Sequence, residues 1–210
     1  MRILLYTLLL WTNTFLIALA QPEIIINIPE YTLQLINDGR PFKIYAIAVG
    51  TPYEQTPTGS FKIFYKEENP TWLPGSNFLD KTPVPPGPDN PLGSRWMEFT
   101  PTYGIHGTNK GWDINYPVSG GCIRMQDKDA QELYALVDVG TPVTIIYETM
   151  LLIEKRDGLY LRILPDIYQR QTNTRERLLI QYQPYADKYI LQNFVFENHS
   201  NLERKIAITK

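Results

Sequence analysis

The stretch from Glu23 to Val49, EIIINIPEYTLQLINDGRPFKIYAIAV, decides the fold class of this protein. Short apolar runs and runs that alternate apolar with polar residues are typical of β-strands. The turn residues Asn37, Asp38 and Gly39 separate two of these runs and predict a hairpin. The segment therefore predicts paired strands at the start of a mainly β fold.

The rest of the chain continues this strand pattern, with one clear exception. Further strands are predicted for SFKIFYK, SRWMEF and TPVTIIYE. Between Asp127 and Gly140 the apolar residues instead recur with helical spacing, at Ala130, Leu133, Tyr134 and Val137. We expect Asp127 to cap this helix and Gly140 to end it, in a strand-rich domain with a single core.

Composition narrows the class of protein. The 210 residues are 43% hydrophobic and 20% charged, with a formal net charge of −2 and no run of lysine or arginine. These are the proportions of an ordinary globular protein with one sizeable core. Nucleic acid is not expected as a partner, because such binding needs a concentrated positive surface.

The first twenty residues, MRILLYTLLLWTNTFLIALA, predict a signal peptide over residues 1–20. Arg2 supplies the positive start, and the small residues Ala18 and Ala20 suit cleavage after Ala20. The alternative is an uncleaved anchor, but residues 12–14 interrupt an apolar run already shorter than the roughly 20 residues that a spanning helix needs. We expect an exported protein of the periplasm or cell wall, with no stable membrane span after cleavage.

The chain beyond residue 148 has weaker signals. LLIEK and LYLRIL flank a D-G turn and predict an additional hairpin within residues 149–165. Residues 166–210 form an extension of open role, with one or two amphipathic helices expected. A glycosylation motif at Asn198 is formally present but isolated.

The peptide HGTNKGWDINYPVSGGCIRM holds Cys122, the only cysteine, and His106, one of two histidines. A lone cysteine in an exported protein pairs between molecules, sits buried as a bystander or is a reactive thiol. Each residue also has a plain structural interpretation, a hydrogen-bonded histidine and a small core cysteine. We expect no metal site, because one cysteine and two distant histidines do not make a ligand set.

The surroundings of Cys122 favour catalysis. Gly120 and Gly121 permit a tight turn whose amides can form an oxyanion hole. We expect a strand ending at His106 to lie beside this turn, and the imidazolium and the following helix to lower the thiol pKa. The pair would be a nucleophile and its general base. Arg124 either clamps a substrate carboxylate or is a solvated charge at a strand end.

A long loop from Glu67 to Gly93 is rich in proline and glycine. Its Trp72, Phe78 and Leu92 predict packing onto the body of the domain, because disordered segments seldom carry such residues. We expect this loop, with Trp72, to border a substrate groove.

Six motifs in order carry a specific resemblance: AIAVGTP with TPTGSFKI, NPTW, PPGPDNPLGSRW, YGIHGTNKG, VSGGCIRM and LYALVDVGTPVTI. Together they resemble the bacterial L,D-transpeptidase catalytic domain of the YkuD type, from about Ile24 to Ile146, and RDGLYLRI resembles a following element in many members. The resemblance implies a β-sandwich-like catalytic domain, here residues 21–148, with one short helix after the nucleophile and no cofactor.

The resemblance also implies roles for particular residues. Cys122 is the nucleophile, His106 the base, and the carbonyl of Gly107 orients the imidazole. The remaining assignments are an oxyanion hole from the amides of Gly121 and Cys122, with Gly120, and a substrate-binding set of Arg124, Ser119, Tyr103 and Trp72. One position departs from the family, whose usual Ser/Thr-His-Gly-Cys reads Ser-Gly-Gly-Cys here, with Gly120 in place of histidine. We expect this change to alter acceptor choice or rate more than catalysis itself.

The implied chemistry is acyl transfer on peptidoglycan stem peptides. The thiolate attacks the carbonyl between the diamino acid and the terminal D-Ala of a tetrapeptide and forms a thioester. The acyl group then passes to an amine of another stem, to an amine of an envelope protein, or to water as in an L,D-carboxypeptidase.

Two other functional hypotheses stay open. A sortase-like transpeptidase would take a protein sorting motif, and a non-catalytic peptidoglycan-binding module would bind cell wall without turnover.

Overall fold

The computed structural model describes residues 21–75, 79–192 and 203–210. The predicted signal peptide, Phe78 and the Asn198 motif lie outside the described residues. Over the described ranges, no helix combines the length and apolar character needed to cross a bilayer.

Ten strands form the larger sheet, in the order β4-β10-β1-β2-β3-β9-β7-β6-β5, with β8 pairing β3. The strands are β1 (Glu23–Asn27), β2 (Thr32–Asn37), β3 (Arg40–Gly50), β4 (Gly59–Lys62), β5 (Tyr65–Glu68), β6 (Arg95–Thr100), β7 (Tyr103–His106), β8 (Pro117–Ser119), β9 (Ile123–Met125) and β10 (Pro142–Ile146). Short 3-10 turns lie at Ile28–Glu30, Gly111–Asp113 and Gln183–Tyr185.

The larger sheet curls upon itself. Its two ends in the strand order, β4 and β5, are separated along the chain only by Ile63 and Phe64, so the ends must approach each other. Ile63 is fully buried inside the curl, where the inward side chains of the sheet make the main core. The predicted mainly β, sandwich-like class is confirmed.

The strands predicted between Glu23 and Val49 are confirmed as β1, β2 and β3, paired antiparallel in sequence order. SFKIFYK is not one strand but two, because the chain turns at Ile63 and Phe64 to pass from one end of the curled sheet to the other. The amide of Ile63 donates to the carbonyl of Thr141, while that of Phe64 donates to Glu98.

The predicted helix exists as α1 (Asp127–Leu136), with Ala130 and Leu133 buried. Its expected ends are wrong. Gln126 occupies the cap position, but its side chain makes no capping hydrogen bond to the helix. The Asp127 carboxylate instead accepts from the amide and hydroxyl of Ser94. The helix stops before Gly140.

The C-terminal part builds a second sheet, in the order β11-β12-β14-β13. The expected hairpin is present as β11 (Met150–Lys155) and β12 (Gly158–Ile163), paired antiparallel. The extension contributes one helix, α2 (Arg175–Tyr182), and two strands, β13 (Tyr189–Leu191) and β14 (Glu203–Thr209). These elements enclose a small core of their own. We call residues 150–192 and 203–210 the C-terminal unit.

Candidate active site

His106 and Cys122 are brought together by two short parallel strands. His106 is the last residue of β7, and Cys122 directly precedes β9. The register pairs Ile105 with Ile123 and His106 with Arg124, so the turn carrying Cys122 lies beside β7. The expected approach of this strand to the turn is therefore confirmed.

The histidine ring is held in one tautomer. Its Nδ1 lies 2.6 Å from the carbonyl oxygen of Gly107. Because a carbonyl oxygen only accepts hydrogen bonds, Nδ1 carries the proton and Nε2 keeps a free lone pair. The side chain is 3% exposed, and the Trp96 ring stacks on it at a centroid distance of 5.6 Å.

The imidazole is neutral at neutral pH. Burial, reinforced by the charge of Arg124, lowers the pKa of His106 from 6.5 to about 4, against backbone hydrogen bonds with Gly107 and Leu92 that raise it. The ring can therefore accept a proton through Nε2 over the physiological range.

The thiol of Cys122 is partly exposed, and its Sγ donates to the carbonyl of Thr102 at 3.7 Å. Burial raises the pKa of the Cys122 thiol, and Glu98 adds to this effect, while a Gly104 backbone hydrogen bond and Arg124 oppose it. The expected lowering of this pKa is wrong for the free protein. Strand β9 separates the thiol from the start of α1, and the neighbouring imidazole is neutral.

Ser119 locks the turn that carries the nucleophile. Its hydroxyl donates to the carbonyl of Cys122 at 2.5 Å and accepts from the amide of Gly121 at 3.1 Å. The side chain is 2% exposed, so it offers no surface to a ligand. Ser119 therefore shapes the turn and does not contact substrate. Its hydroxyl also engages the Gly121 amide, which was predicted to be part of the oxyanion hole.

The two glycines of the turn have different environments. Gly121 has φ +105°, and a Cβ there would lie 2.2 Å from Cε1 of Tyr103, whose ring packs directly on the turn. A Cβ on Gly120 would meet only the Glu54 carboxylate, with Oε2 at 3.6 Å. Glycine is thus required at 121, whereas position 120 has room for a side chain.

Arg124 is held by an ion pair. Its Nη1 donates to Oδ2 of Asp113 at 2.9 Å, and both side chains are mostly buried. The guanidinium is therefore fixed beside His106 instead of being a solvated charge at a strand end. A guanidinium has five N–H donors, so one such bond leaves others for a ligand.

The long loop packs onto the domain at its C-terminal end, as expected, where a Cβ on Gly93 would lie 2.9 Å from the backbone of Gly107. The rest of the loop is held by contacts of its own. Trp72, half-buried, pairs with Val84 in an isolated antiparallel bridge. Asn90, fully buried, donates through Nδ2 to the carbonyls of Pro70, Val84 and Pro85. Loop residues also line a cavity of about 290 Å³ whose lining includes Thr108 and Asp127, but not His106, Cys122 or Trp72.

Three residues of the site were not predicted from the sequence: Thr102, which contacts Cys122, Trp96, which stacks on His106, and Asp113, which pairs with Arg124. The sequence did contain a signal for Trp96, which alternates along β6 with the core residue Met97. Trp96 therefore lies on the same face of the sheet as His106, its register partner on β7. Neither Thr102 nor Asp113 had such a signal, because both lie in turns whose position depends on the fold.

Comparison with known proteins agrees with this geometry. Residues 21–145 match the family model described as the L,D-transpeptidase catalytic domain, YkuD. The chain is 37% identical over 131 residues to the putative L,D-transpeptidase YqjB of Bacillus subtilis, covering 59% of this chain and 70% of that protein. It is 40% identical over 124 residues to the putative L,D-transpeptidase YkuD of the same organism, covering 59% and 65%.

A third relative is longer. The probable L,D-transpeptidase ErfK/SrfK of Escherichia coli is 34% identical over 146 residues, which are 64% of this chain but only 47% of that protein. Among solved structures, the L,D-transpeptidase from Mycobacterium smegmatis superposes with a TM-score of 0.51 at 22% identity, covering 60% of this chain and 59% of that one. That likeness concerns the fold. This chain belongs to the YkuD family of L,D-transpeptidase catalytic domains.

Proposed function

We propose that this protein is an exported cysteine L,D-transpeptidase acting on the tetrapeptide stems of peptidoglycan. One observation carries the proposal: the Gly107 carbonyl fixes Nδ1 of His106, which leaves an unprotonated Nε2 on the strand beside Cys122. A neutral base next to a neutral thiol is a competent starting state for nucleophilic attack. The family match supports the same reaction class.

In the acylation step, Nε2 of His106 accepts the thiol proton as Sγ of Cys122 attacks the carbonyl carbon of the diamino acid. The carbonyl oxygen becomes an oxyanion, for which the Cys122 amide is the proposed donor. Collapse of this intermediate breaks the bond to D-Ala. The imidazolium gives its proton to the departing nitrogen, so D-Ala leaves with a neutral amine and a thioester remains.

In the second step, a neutral amine attacks the thioester carbonyl and His106 takes the proton that the amine loses. The Cys122 sulfur leaves and recovers a proton from the imidazolium, which restores the resting pair. A stem amine as acceptor gives a cross-link between two diamino acids, and a protein amine gives attachment of that protein to the wall. Water in the same position gives a carboxypeptidase.

The other residues of the site are proposed either to bind the substrate or to position the nucleophile turn. Arg124 has donors free of Asp113 and is proposed to hold a substrate carboxylate. Tyr103, which packs on the turn, and Trp72, in the loop, are proposed as walls of the stem-peptide groove. Ser119 is proposed as a positioning residue, since its hydroxyl fixes the turn.

Turnover of defined stem peptides tests the proposal. Purified protein is incubated with disaccharide tetrapeptide, and products are separated by chromatography and weighed by mass spectrometry. We expect free D-Ala together with a cross-linked dimer or a tripeptide, and none of these with Cys122→Ala at an unchanged melting temperature. Wild-type protein that binds the stems without turnover would instead indicate a wall-binding module, and acylation by a protein sorting motif alone would indicate a sortase-like enzyme.

A further inference from the structure

Tyr168 links the C-terminal unit to the turn that carries Cys122. It lies between β12 and α2, beyond the residues that match the family model. Its ring is 6% exposed and packs in the main core. The hydroxyl donates to the carbonyl of Gly50 at 2.9 Å and accepts from the amide of Thr56 at 3.2 Å.

Thr56 continues this link to the nucleophile turn. Its side chain is fully buried. Its Oγ1 accepts from the amide of Gly50 and donates to the carbonyl of Gly121, both at 2.9 Å. Gly50 makes the approach possible, because a Cβ there would lie 2.2–2.9 Å from the backbones of Glu54, Thr56 and Gly121.

The bond to Gly121 determines where the next amide points. The carbonyl of Gly121 and the N–H of Cys122 belong to one planar peptide unit, and in a trans peptide they point in opposite directions. Thr56 holds the carbonyl toward the buried side. The N–H of Cys122 is therefore turned the other way, away from Thr56.

Tyr168 is itself held rigidly. Its amide donates to the hydroxyl of Tyr147 at 2.7 Å, and that hydroxyl donates to Oδ1 of Asp166 at 2.6 Å. The two tyrosine rings stack at 5.3 Å, with the Arg170 guanidinium 4.4 Å from the centroid of Tyr147. Arg170 also donates to Oε1 of Gln55 at 2.8 Å, next to Thr56.

We infer that Tyr168 is a positioning residue for acyl transfer: acting through Thr56, it fixes the peptide unit between Gly121 and Cys122 and so aims the oxyanion-hole amide. The short segment between β12 and α2, which holds Tyr168 but not Tyr182, is then part of the catalytic apparatus. The inference rests on the proposed function for its effect on rate, but its effect on the turn is independent of turnover.

Two substitutions test this link against a matched control. Tyr168→Phe removes the hydroxyl and keeps the stacked ring, and Thr56→Val removes the bond to Gly121. The control is Tyr182→Phe, which removes another buried tyrosine hydroxyl, bonded to the carbonyl of Tyr189 at 2.5 Å within the separate core of the C-terminal unit. The readouts are kcat and KM for D-Ala release, and hydrogen exchange of the peptide covering residues 118–125.

We expect Tyr168→Phe to lower kcat about tenfold, a part of the 10²–10³ that loss of a whole oxyanion donor costs, with little change in KM. Exchange over residues 118–125 should become faster, and Tyr182→Phe should change neither readout. The double variant of Tyr168 and Thr56 should be no slower than Thr56→Val alone, because both act through one network.

Equal kcat and equal exchange for Tyr168→Phe and Tyr182→Phe would overturn the inference while leaving the proposed function intact. Absence of turnover in the wild-type protein would overturn the proposed function. In that case the exchange measurement still decides whether Tyr168 fixes the turn: faster exchange over residues 118–125 in Tyr168→Phe supports that part of the inference, and unchanged exchange refutes it.

Discussion

Arg124 is the register partner of His106 across the parallel strands β7 and β9, which places a guanidinium beside the imidazole. The burial of the ring, reinforced by this charge, disfavours protonation and lowers the pKa of His106 to about 4. The base is therefore unprotonated at neutral pH, and the Gly107 carbonyl directs its free nitrogen without a carboxylate partner.

The first prediction concerns the pH dependence of acylation. Because Nε2 must be unprotonated, kcat/KM for D-Ala release should be flat on the acid side of neutrality and fall only as pH approaches about 4. Arg124→Gln removes a charge that lowers this pKa, so the acid limb should move to higher pH. Arg124→Lys keeps the charge and should leave the limb near its wild-type position; identical limbs for Gln and wild type would refute the electrostatic role.

The second prediction concerns stability. The folded-state pKa of His106, about 4, lies below its usual 6.5, so between these values the unfolded chain binds the extra proton and stability falls as pH falls. The lowered pKa corresponds to a loss of about 3 kcal/mol across that window. Urea unfolding at several pH values should show that His106→Gln loses correspondingly less stability from pH 7 to pH 4 than wild type. Parallel curves for the two proteins would contradict this.

The third prediction compares the two glycines of the turn. Gly121→Ala should destabilise the protein by about 2 kcal/mol or more, because its φ of +105° and the Tyr103 ring exclude a Cβ. Gly120→Ala, the adjacent control, should change the free energy of unfolding by less than about 1 kcal/mol. Thermal unfolding of both variants measures the difference, and equal melting temperatures would show that the turn is not shaped as described.

The fourth prediction concerns the position where the family usually has histidine. A side chain at 120 would extend toward the carboxylate of Glu54. Gly120→His should therefore fold with a melting temperature close to wild type, and the introduced imidazole should titrate above its usual pKa of about 6.5 because the carboxylate favours its charged form. Adding Glu54→Gln should bring that pKa down; NMR titration of the imidazole measures both values.

Much of the fold was predictable because it depends on local patterns. The alternation along Thr32–Asn37 and the turn at Asp38 predict β2, β3 and the hairpin between them, and α1 was evident from the spacing of its buried residues. The split between β4 and β5 was not predictable, because it depends on the curl of the whole sheet. The strands of the C-terminal extension were missed for a related reason, since β14 pairs with β12 across a long sequence separation.

The site was predictable to a similar extent. Cys122, His106 and the two glycines were evident from their types and spacing, whereas the direction of the thiol pKa was predicted wrongly because burial outweighs the neighbouring charges. Tyr168 had no signal at all. Its role depends on hydrogen bonds to Gly50 and Thr56, which lie more than a hundred residues away in the chain.

The most direct test of the central claim is the intact mass of the protein during turnover of a tetrapeptide stem. Rapidly quenched wild-type protein should be heavier by one tripeptide acyl group, which digestion should then locate on the peptide containing Cys122, and Cys122→Ala should carry none. Cross-linked or trimmed products formed with no adduct on Cys122, or formed equally by Cys122→Ala, would contradict the account.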